Sequence, residues 1–430
     1  MTASREEMAC QICLSPLNTL GTPPTYIHPI RLTTDGHEPI PVPVSGLDTV
    51  DRTCDFCGDP YPVWTLHGGE VAAVAVGPAG GVVQNFGDRW AACATCHTHI
   101  DDGKNDKVVD RAVRTLGVGD QPQARERIAQ LHQGFLSARL PERTLITTTA
   151  WPTTTITARD LPKVRDRLAH LYRGPDSLPA PFTATDERHQ IADGLNRAHL
   201  FWIDKDFTEL AEHAADILPE VTITRDLMPS TDGLIVWARP VTSRQITAAT
   251  WTARHDSWKV INYRASGGGL DGKPLQRLRE DVGWLAPMNA ARVDEPHLLP
   301  GDHPAAALVA TWLLIRQQAA DVTTAEADKG IRKTYARANR PMPVVRIVRI
   351  RAHSTTRAGT RPASGDSGLS HTNRFWVSGH WRNQPHGPGR TLRRAVYINP
   401  FLRGPDDAPI KLSTTVRMLG SRRPEVGDQE

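Results

Sequence analysis

Apolar residues in the middle of the chain recur every three or four positions, which is the spacing of amphipathic helices. In Lys104–Leu116 the stripe consists of Val108, Val109, Ala112, Val113 and Leu116. The same spacing predicts helices over Arg125–Leu136, Arg159–Tyr172, Asp186–Leu200, Thr208–Leu218, Ala305–Ala320 and Asp328–Ala338. Within them, the continuous apolar run Ala305–Ile315 is too short to cross a bilayer and predicts a buried helix.

Short runs rich in β-branched and aromatic residues predict strands between and after these helices. Val63–Leu66 and Val71–Val76 flank Gly68-Gly69, which predicts a turn between two short strands. Further strands are predicted over Gly233–Arg239, Trp258–Tyr263, Val344–Arg351, Phe375–Trp381 and Ala395–Ile398. Because helices and strands are mixed without a regular alternation, the pattern favours an α+β fold.

With 430 residues, 39% of them apolar, the chain is long enough for two or three globular domains. The pattern predicts an N-terminal treble-clef-like zinc module over residues 1–117 and a helical connector over 118–175. An α+β domain over 176–430 follows, with a basic antiparallel sheet in its C-terminal segment 331–403. The proline-rich stretch Pro175–Pro181 marks the last boundary.

All six cysteines lie within the first 96 residues, in the Cys-x-x-Cys pairs Cys10/Cys13, Cys54/Cys57 and Cys93/Cys96. Each pair can direct two thiolates at one ion, and two pairs complete the tetrahedral sulfur set that zinc prefers. Because Met1–Ala9 lacks the apolar core of a signal peptide, we expect a cytoplasmic, reducing location. That location favours metal over disulfides, so we expect one or two zinc ions.

The second and third pairs flank the predicted strands and precede a helix, an order typical of treble-clef modules. The first pair, Cys10/Cys13, needs other ligands, and His28 and His37 would complete a site of two cysteines and two histidines. In the alternative arrangement the sites are cross-braced, and Cys10/Cys13 share an ion with Cys54/Cys57. We favour the sequential arrangement.

The segment Cys93-Ala-Thr-Cys96-His97 resembles the final zinc knuckle of HNH endonucleases. Those enzymes also need a histidine base and a catalytic metal ligand between the knuckles, and here that interval contains only His67. His97 and His99, beside the last knuckle, are either additional metal ligands or exposed side chains. The resemblance therefore concerns the scaffold, and HNH activity is disfavoured.

Positive charge is concentrated near the C-terminus. Fifteen Arg or Lys residues and a single acidic residue, Asp366, lie between Ile331 and Arg403, whereas the whole chain carries only +4. Such a concentration of charge predicts an anionic partner, and nucleic acid is the partner we expect, DNA or RNA undecided. No membrane association is expected, and a protein partner is compatible with the sequence.

Strand alternation places Arg374, Trp376, His380 and Arg382 on one face of the predicted strand and its continuation. Three further arginines cluster near the next turn: Arg390, Arg393 and Arg394. Together these seven residues are the candidate nucleic-acid-binding set. Metal-independent RNA cleavage would need an acid–base group and cations, for which His380, Arg382 and Arg394 are the catalytic candidates.

Several C-terminal motifs resemble a block found in uncharacterised actinobacterial and actinophage proteins. They are Gly379-His-Trp-Arg-Asn-Gln384, Gly387-Pro-Gly389, Tyr397-Ile-Asn-Pro400 and Arg403-Gly-Pro-Asp-Asp-Ala-Pro409. Cys54-Asp-Phe-Cys57 and Trp90-Ala-Ala-Cys93 are similar to small zinc-knuckle proteins of those genomes. The resemblance implies a cytosolic, phage- or mobile-element-linked protein and brings no activity or site residue with it.

Three functional hypotheses follow from these features. The favoured one is a zinc-stapled nucleic-acid-binding protein. The second is an enzyme in the C-terminal domain that acts on RNA or a nucleotide without a catalytic metal. The third is a zinc-dependent protein-interaction adaptor. Enzymatic activity is therefore undecided, with binding favoured over catalysis.

Overall fold

The computed structural model describes residues 7–20, 23, 25–28, 36–77, 80–300, 303–317, 320–351 and 375–403. Contacts between Cα atoms divide the chain into two compact units, each made of three separate segments. The first unit comprises Met1–Thr154, Lys163–Asn196 and Ile261–Ala290. The second comprises Thr155–Pro162, Arg197–Val260 and Ala291–Glu430.

The described helices are α1 (Ala94–Asp101), α2 (Asn105–Leu116), α3 (Pro122–Ser137), α4 (Leu161–Arg173), α5 (Thr185–Arg197), α6 (Lys205–Asp216), α7 (Gly272–Asp281), α8 (Ala306–Ile315) and α9 (Lys329–Arg337). The described strands are β1 (Met8–Cys10), β2 (Asn18–Leu20), β3 (Thr25–Ile27), β4 (Pro41–Pro43), β5 (Pro62–Gly77), β6 (Gly80–Cys93), β7 (Arg143–Leu145), β8 (His199–Ile203), β9 (Val221–Ile223), β10 (Asp232–Val241), β11 (Ile246–Ala253), β12 (Ser257–Ala265), β13 (Leu285–Asp294), β14 (His297–Leu299), β15 (Ala320–Ala325), β16 (Val345–Ile350), β17 (Phe375–Val377), β18 (His380–His386), β19 (Leu392–Ile398) and β20 (Phe401–Arg403). The fold is α+β, as the sequence predicts.

The amphipathic stripe of α2 is buried as predicted, except at its C-terminal end, where Leu116 is exposed. The next residue, Gly117, has φ of 67° and ends the helix in the left-handed conformation that favours glycine. The predicted helix Asp186–Leu200 is wrong at its end. Helix α5 stops at Arg197, and His199–Ile203 instead forms β8, which pairs in parallel with β10.

A long hairpin, β5–β6, dominates the first unit. Its register runs from Pro62 paired with Cys93 to Gly77 paired with Gly80, and β7 pairs with the base of β5. The predicted turn at Gly68-Gly69 is wrong, because β5 continues through both glycines. A Cβ atom at Gly68 would lie 3.0 Å from the Phe135 ring, and one at Gly69 would lie 2.9 Å from Ala138 Cβ. These glycines therefore allow the end of α3 to pack closely on the strand.

The largest sheet has seven strands in the order β13-β12-β11-β10-β8-β16-β15. Strand β8 lies between two parallel neighbours, whereas β10–β11 and β15–β16 are antiparallel pairs. In the second unit, Trp251 packs edge-on against Trp312 of α8, with ring centroids 5.1 Å apart. Trp237 Nε1 donates a hydrogen bond to Thr311 Oγ1 over 3.2 Å.

Helix α8 confirms that the apolar run near residue 305 is a buried helix, because all its residues except Ile315 are buried. The helix ends at Ile315 rather than at Ala320, where strand β15 begins. Among the helices of the described ranges, none has the length and apolar character needed to cross a membrane.

Two glycines of the second unit provide a matched test of this packing. A Cβ atom at Gly233 in β10 would lie 2.0 Å from the Trp251 ring, whereas one at Gly330 in α9 would meet nothing within 4 Å. We expect Gly233→Ala to lower the free energy of unfolding by about 1–3 kcal/mol through overpacking. Gly330→Ala should leave it unchanged or raise it by up to about 1 kcal/mol. Denaturant unfolding followed by tryptophan fluorescence measures both, and equal effects would contradict the packing described.

Candidate metal centres and a basic hairpin

The four cysteines Cys54, Cys57, Cys93 and Cys96 form a compact set, called site B here. Their Sγ atoms all lie within 4.8 Å of one another, and all four residues are buried. The Sγ atoms of Cys57 and Cys93 are 3.8 Å apart. Sulfur ligands at about 2.3 Å from a tetrahedral ion have Sγ–Sγ separations of about 3.8 Å, far longer than a disulfide bond. Site B therefore has the spacing of a metal-binding set.

Local backbone structure places these thiols. Gly58 N donates to Cys54 O over 2.7 Å, which closes the first knuckle just before β5. Cys93 is the last residue of β6 and the N-cap of α1, and its Sγ accepts a hydrogen bond from Cys96 N over 3.4 Å. Since Cys93 pairs with Pro62 across the hairpin, the β5–β6 register holds the two knuckles together.

Charge within site B is partly balanced by Arg111 of α2. Its Nη2 atom donates to Cys57 Sγ at 3.7 Å and to Cys93 Sγ at 3.9 Å. Burial alone would lower the pKa of Arg111, but the neighbouring thiolates raise it. Burial raises the pKa of the Cys54 thiol, whereas hydrogen bonds from the other three sulfurs lower the pKa of Cys57. Four buried thiolates repel one another unless positive charge neutralises them. A metal ion of charge +2 together with Arg111 would supply that positive charge.

The second compact set, site A, consists of Cys10, Cys13, His28 and His37, whose ligand atoms also lie within 4.8 Å of one another. His37 Nε2 is 3.4 Å from Cys10 Sγ, and His28 Nε2 is 3.5 Å from Cys13 Sγ. Two sulfur and two nitrogen ligands around a tetrahedral ion would be separated by about 3.6 Å. The side chains are therefore grouped as in the sequential arrangement, with Cys10/Cys13 beside His28 and His37 rather than beside Cys54/Cys57.

Site A is more accessible than site B, because Cys10 is buried but the other three ligands are half-buried. Burial alone would raise the pKa of the Cys10 thiol. Hydrogen bonds from backbone groups of Cys13 and Ile40 nevertheless lower this pKa to about 5. A thiol with this pKa is ionised at neutral pH and is ready to bind a metal ion.

His97 and His99, which lie beside the last knuckle, belong to neither site A nor site B. His97 is buried, with Nδ1 3.4 Å from Asp101 Oδ2, and its Nε2 lies 3.0 Å from Arg143 Nη1. Arg143 also stacks over the Trp64 ring and pairs with Asp176. His97 therefore takes part in a network that connects α1 with β7. Sequence analysis missed Arg111 and Arg143, since their roles arise only when distant segments pack together.

In the C-terminal region β18 and β19 form an antiparallel pair, called the basic hairpin here. Arg382 pairs with Val396, and Gln384 pairs with Arg394. Directly paired residues point to the same side of a hairpin, so Arg382 and Arg394 share one face with His380. All three of these side chains are exposed. Their placement on one face follows the alternation predicted for His380 and Arg382.

The opposite face of the basic hairpin is anchored within the second unit. Trp381 Nε1 donates to Ala214 O of α6 over 2.8 Å, and the Trp381 and Tyr397 rings pack 5.2 Å apart. Burial raises the pKa of Tyr397 to about 12. A Cβ atom at Gly379 would lie 2.1 Å from Tyr397 Oη, so this position requires glycine. The anchored face leaves the His380 face open to solvent.

The predicted strand Phe375–Trp381 is wrong as one element. It is interrupted at Ser378 and Gly379, and its first part, β17, pairs with β20 instead of β19. Trp376 therefore lies in a different ladder from His380, and Arg374 lies outside the described residues. Arg390, Arg393 and Arg394 are exposed at the turn and start of β19, as predicted. Arg393 Nη1 donates to Arg390 O over 2.6 Å.

Comparisons with protein-family models, with curated proteins and with solved structures found no match to this chain. The assignment of function consequently rests on the geometry of the two metal-binding sets and the basic hairpin.

The two metal-binding sets can be counted separately. We expect about two metal ions per chain in the purified protein. His37→Ala and Cys96→Ala should each lose one ion, because each change removes one of the four ligands of its set. His99→Gln is the matched control, since His99 lies beside the last knuckle but in neither set. Elemental analysis after dialysis gives the count, and two ions retained in His37→Ala would disprove site A.

The contribution of the Arg111 guanidinium to metal binding at site B can be tested without removing a metal ligand. Arg111→Leu takes away the positive charge near two thiolates, and we expect the affinity of one metal ion to fall by about 10–100-fold. Arg114→Leu changes an exposed arginine of the same helix and should have no effect. Competition with a zinc chelator measures both affinities, and equal values for the two variants would contradict the role of Arg111.

Proposed function

We propose that this chain is a nucleic-acid-binding protein whose first unit is held together by two zinc ions. The observation that carries the proposal is the exposed face of the basic hairpin, where His380, Arg382 and Arg394 lie together. In this proposal the zinc ions have a structural role, and the arginines contact the partner. We propose the cytoplasm as the location, where thiols remain reduced.

Zinc is the metal that fits both sets best. Thiolates and imidazoles in tetrahedral sets of four are its usual structural ligands. Site B is buried and already offers four sulfurs, so it has no open position for a substrate. An ion in a closed site of this kind stabilises the fold and performs no catalysis.

The charge of the basic hairpin supports a polyanionic partner. Residues 375–403 contain five arginines and no Asp or Glu. Within the part of the chain that the structure describes, neither Arg382 nor Arg394 forms an ion pair. Arginine guanidinium groups that lack a carboxylate partner are suited to bind phosphate oxygens, since they present several N–H donors in a planar fork.

Catalysis has weaker support than binding. His380 Nδ1 lies 3.1 Å from Ser378 O, and the side chain is exposed. The phenol of Tyr397, a possible acid, is buried on the opposite face, and its raised pKa keeps it protonated at neutral pH. His386 shares the His380 face but lies six residues further along β18, about 20 Å away. The hairpin thus does not bring an acid and a base close together, as metal-independent RNA cleavage would require.

A salt titration tests the proposal. Binding of labelled single-stranded RNA, single-stranded DNA and duplex DNA should weaken as salt rises, because phosphate contacts release counterions. We expect Arg382→Gln combined with Arg394→Gln to reduce the slope of log K against log salt by about 1.5. The matched control is Arg239→Gln, because Arg239 is already paired with Glu209 and Glu212.

The outcomes separate the three hypotheses. A reduced slope in the double variant and an unchanged slope in Arg239→Gln would support nucleic-acid binding through the basic hairpin. Cleaved RNA in the presence of EDTA, abolished by His380→Ala, would instead favour the enzyme. Absence of binding to all three probes at low salt would overturn the proposal and favour a protein-interaction adaptor.

A further inference from the structure

A cavity of about 610 Å³ lies within the first unit. Its lining comes mainly from two parts of that unit: the segment that carries site A, and the β5–β6–β7 sheet with the residues that follow β7. Cavities of about 300–1,000 Å³ commonly accept small molecules. We call it the Tyr26 cavity after the one tyrosine among the residues that line it.

The lining of the Tyr26 cavity combines the phenol ring of Tyr26, the imidazole ring of His67, aliphatic side chains and many hydroxyl groups. Tyr26 of β3 pairs directly with Thr19 of β2, so both side chains lie on the same side of that ladder. Aliphatic surface comes from Leu17, Leu47 and Leu145. A flat ring beside aliphatic surface is suited to stack a planar heterocycle, and hydroxyl groups can bind its polar edge as donors or acceptors.

The charged groups of the cavity are already balanced. Arg52 pairs with Glu7, and Arg89 lies 3.8 Å from the Asp88 carboxylate. A strongly anionic ligand would therefore have to compete with carboxylates that are in place. These pairs favour a ligand without charge in the part that enters the cavity.

One group offers a directional hydrogen bond to such a ligand. His67 Nε2 lies 3.0 Å from Thr144 Oγ1, which fixes the ring and leaves Nδ1 for another contact. Burial lowers the pKa of His67, so its ring is neutral at pH 7 and offers one donor and one acceptor.

We infer that the Tyr26 cavity binds a nucleobase, with Tyr26 stacking on the ring and the His67 imidazole hydrogen-bonding to its polar edge. The base could belong to a free nucleoside or to an unstacked nucleotide of a strand, and both present the same planar edge. This inference does not depend on the basic hairpin, since every residue that lines the cavity belongs to the first unit.

The test uses the full-length zinc-loaded protein and calorimetric titration with uridine, cytidine, guanosine and adenosine. We expect saturable binding of at least one nucleoside. Tyr26→Ala should weaken it at least about fivefold, whereas Tyr26→Phe, which keeps the ring, should preserve it. Thr65→Trp, which places a large side chain in the cavity, should abolish binding. Metal content and circular dichroism establish that each variant is folded.

Absence of binding for all four nucleosides, or binding unaffected by both Thr65→Trp and Tyr26→Ala, would overturn the inference. Displacement of the nucleoside by a single-stranded oligonucleotide would identify the base as part of a strand, and lack of displacement would identify a free nucleoside. Either result supports a nucleobase site. The Arg382→Gln, Arg394→Gln double variant should bind the nucleoside normally, which distinguishes this site from the proposed phosphate contact.

Discussion

The first unit depends on the close approach of four thiols at the open end of the β5–β6 hairpin, two before its first strand and two at or after the end of its second. Cys54 and Cys57 precede β5, whereas Cys93 ends β6 and Cys96 lies in the first turn of α1. Bringing four buried sulfurs this close costs free energy unless a cation neutralises them. A metal ion at site B would offset that cost and close the loop that contains the hairpin. The start of α1 and the base of the β5–β6 ladder both depend on this closure.

Helices α2 and α3 complete the surroundings of site B. Arg111 brings a positive charge from α2, and Phe135 of α3 stacks on Trp90 of β6 with ring centroids 4.6 Å apart. Burial and charge balance thus favour an ion held for stability. The basic hairpin is the opposite environment, because its arginines are exposed and its Trp381 face alone is anchored. In our proposal, the buried metal-binding sets stabilise the fold and the exposed arginines contact the partner, so the two roles belong to chemically different parts of the chain.

The sequence predicted local features well where one physical cause decides the structure. The cysteine spacing identified both knuckles of site B, and the apolar run of α8 identified a buried helix. Prediction from the sequence failed where one local pattern is compatible with two different structures. Gly68-Gly69 suits a turn or a close helix contact, and only Phe135, far along the chain, decides between them. Similarly, Leu200 suits a buried helix or a buried strand, and pairing with β10 decides.

X-ray absorption spectroscopy at the zinc edge tests the central claim, that two closed tetrahedral sites organise the first unit. One site of four cysteines and one site of two cysteines and two histidines together predict an average of three sulfur and one nitrogen ligand per zinc, with Zn–S distances of about 2.3 Å. An average with no nitrogen, a sixfold oxygen shell, or cysteines oxidised to disulfides in a protein without zinc would contradict it.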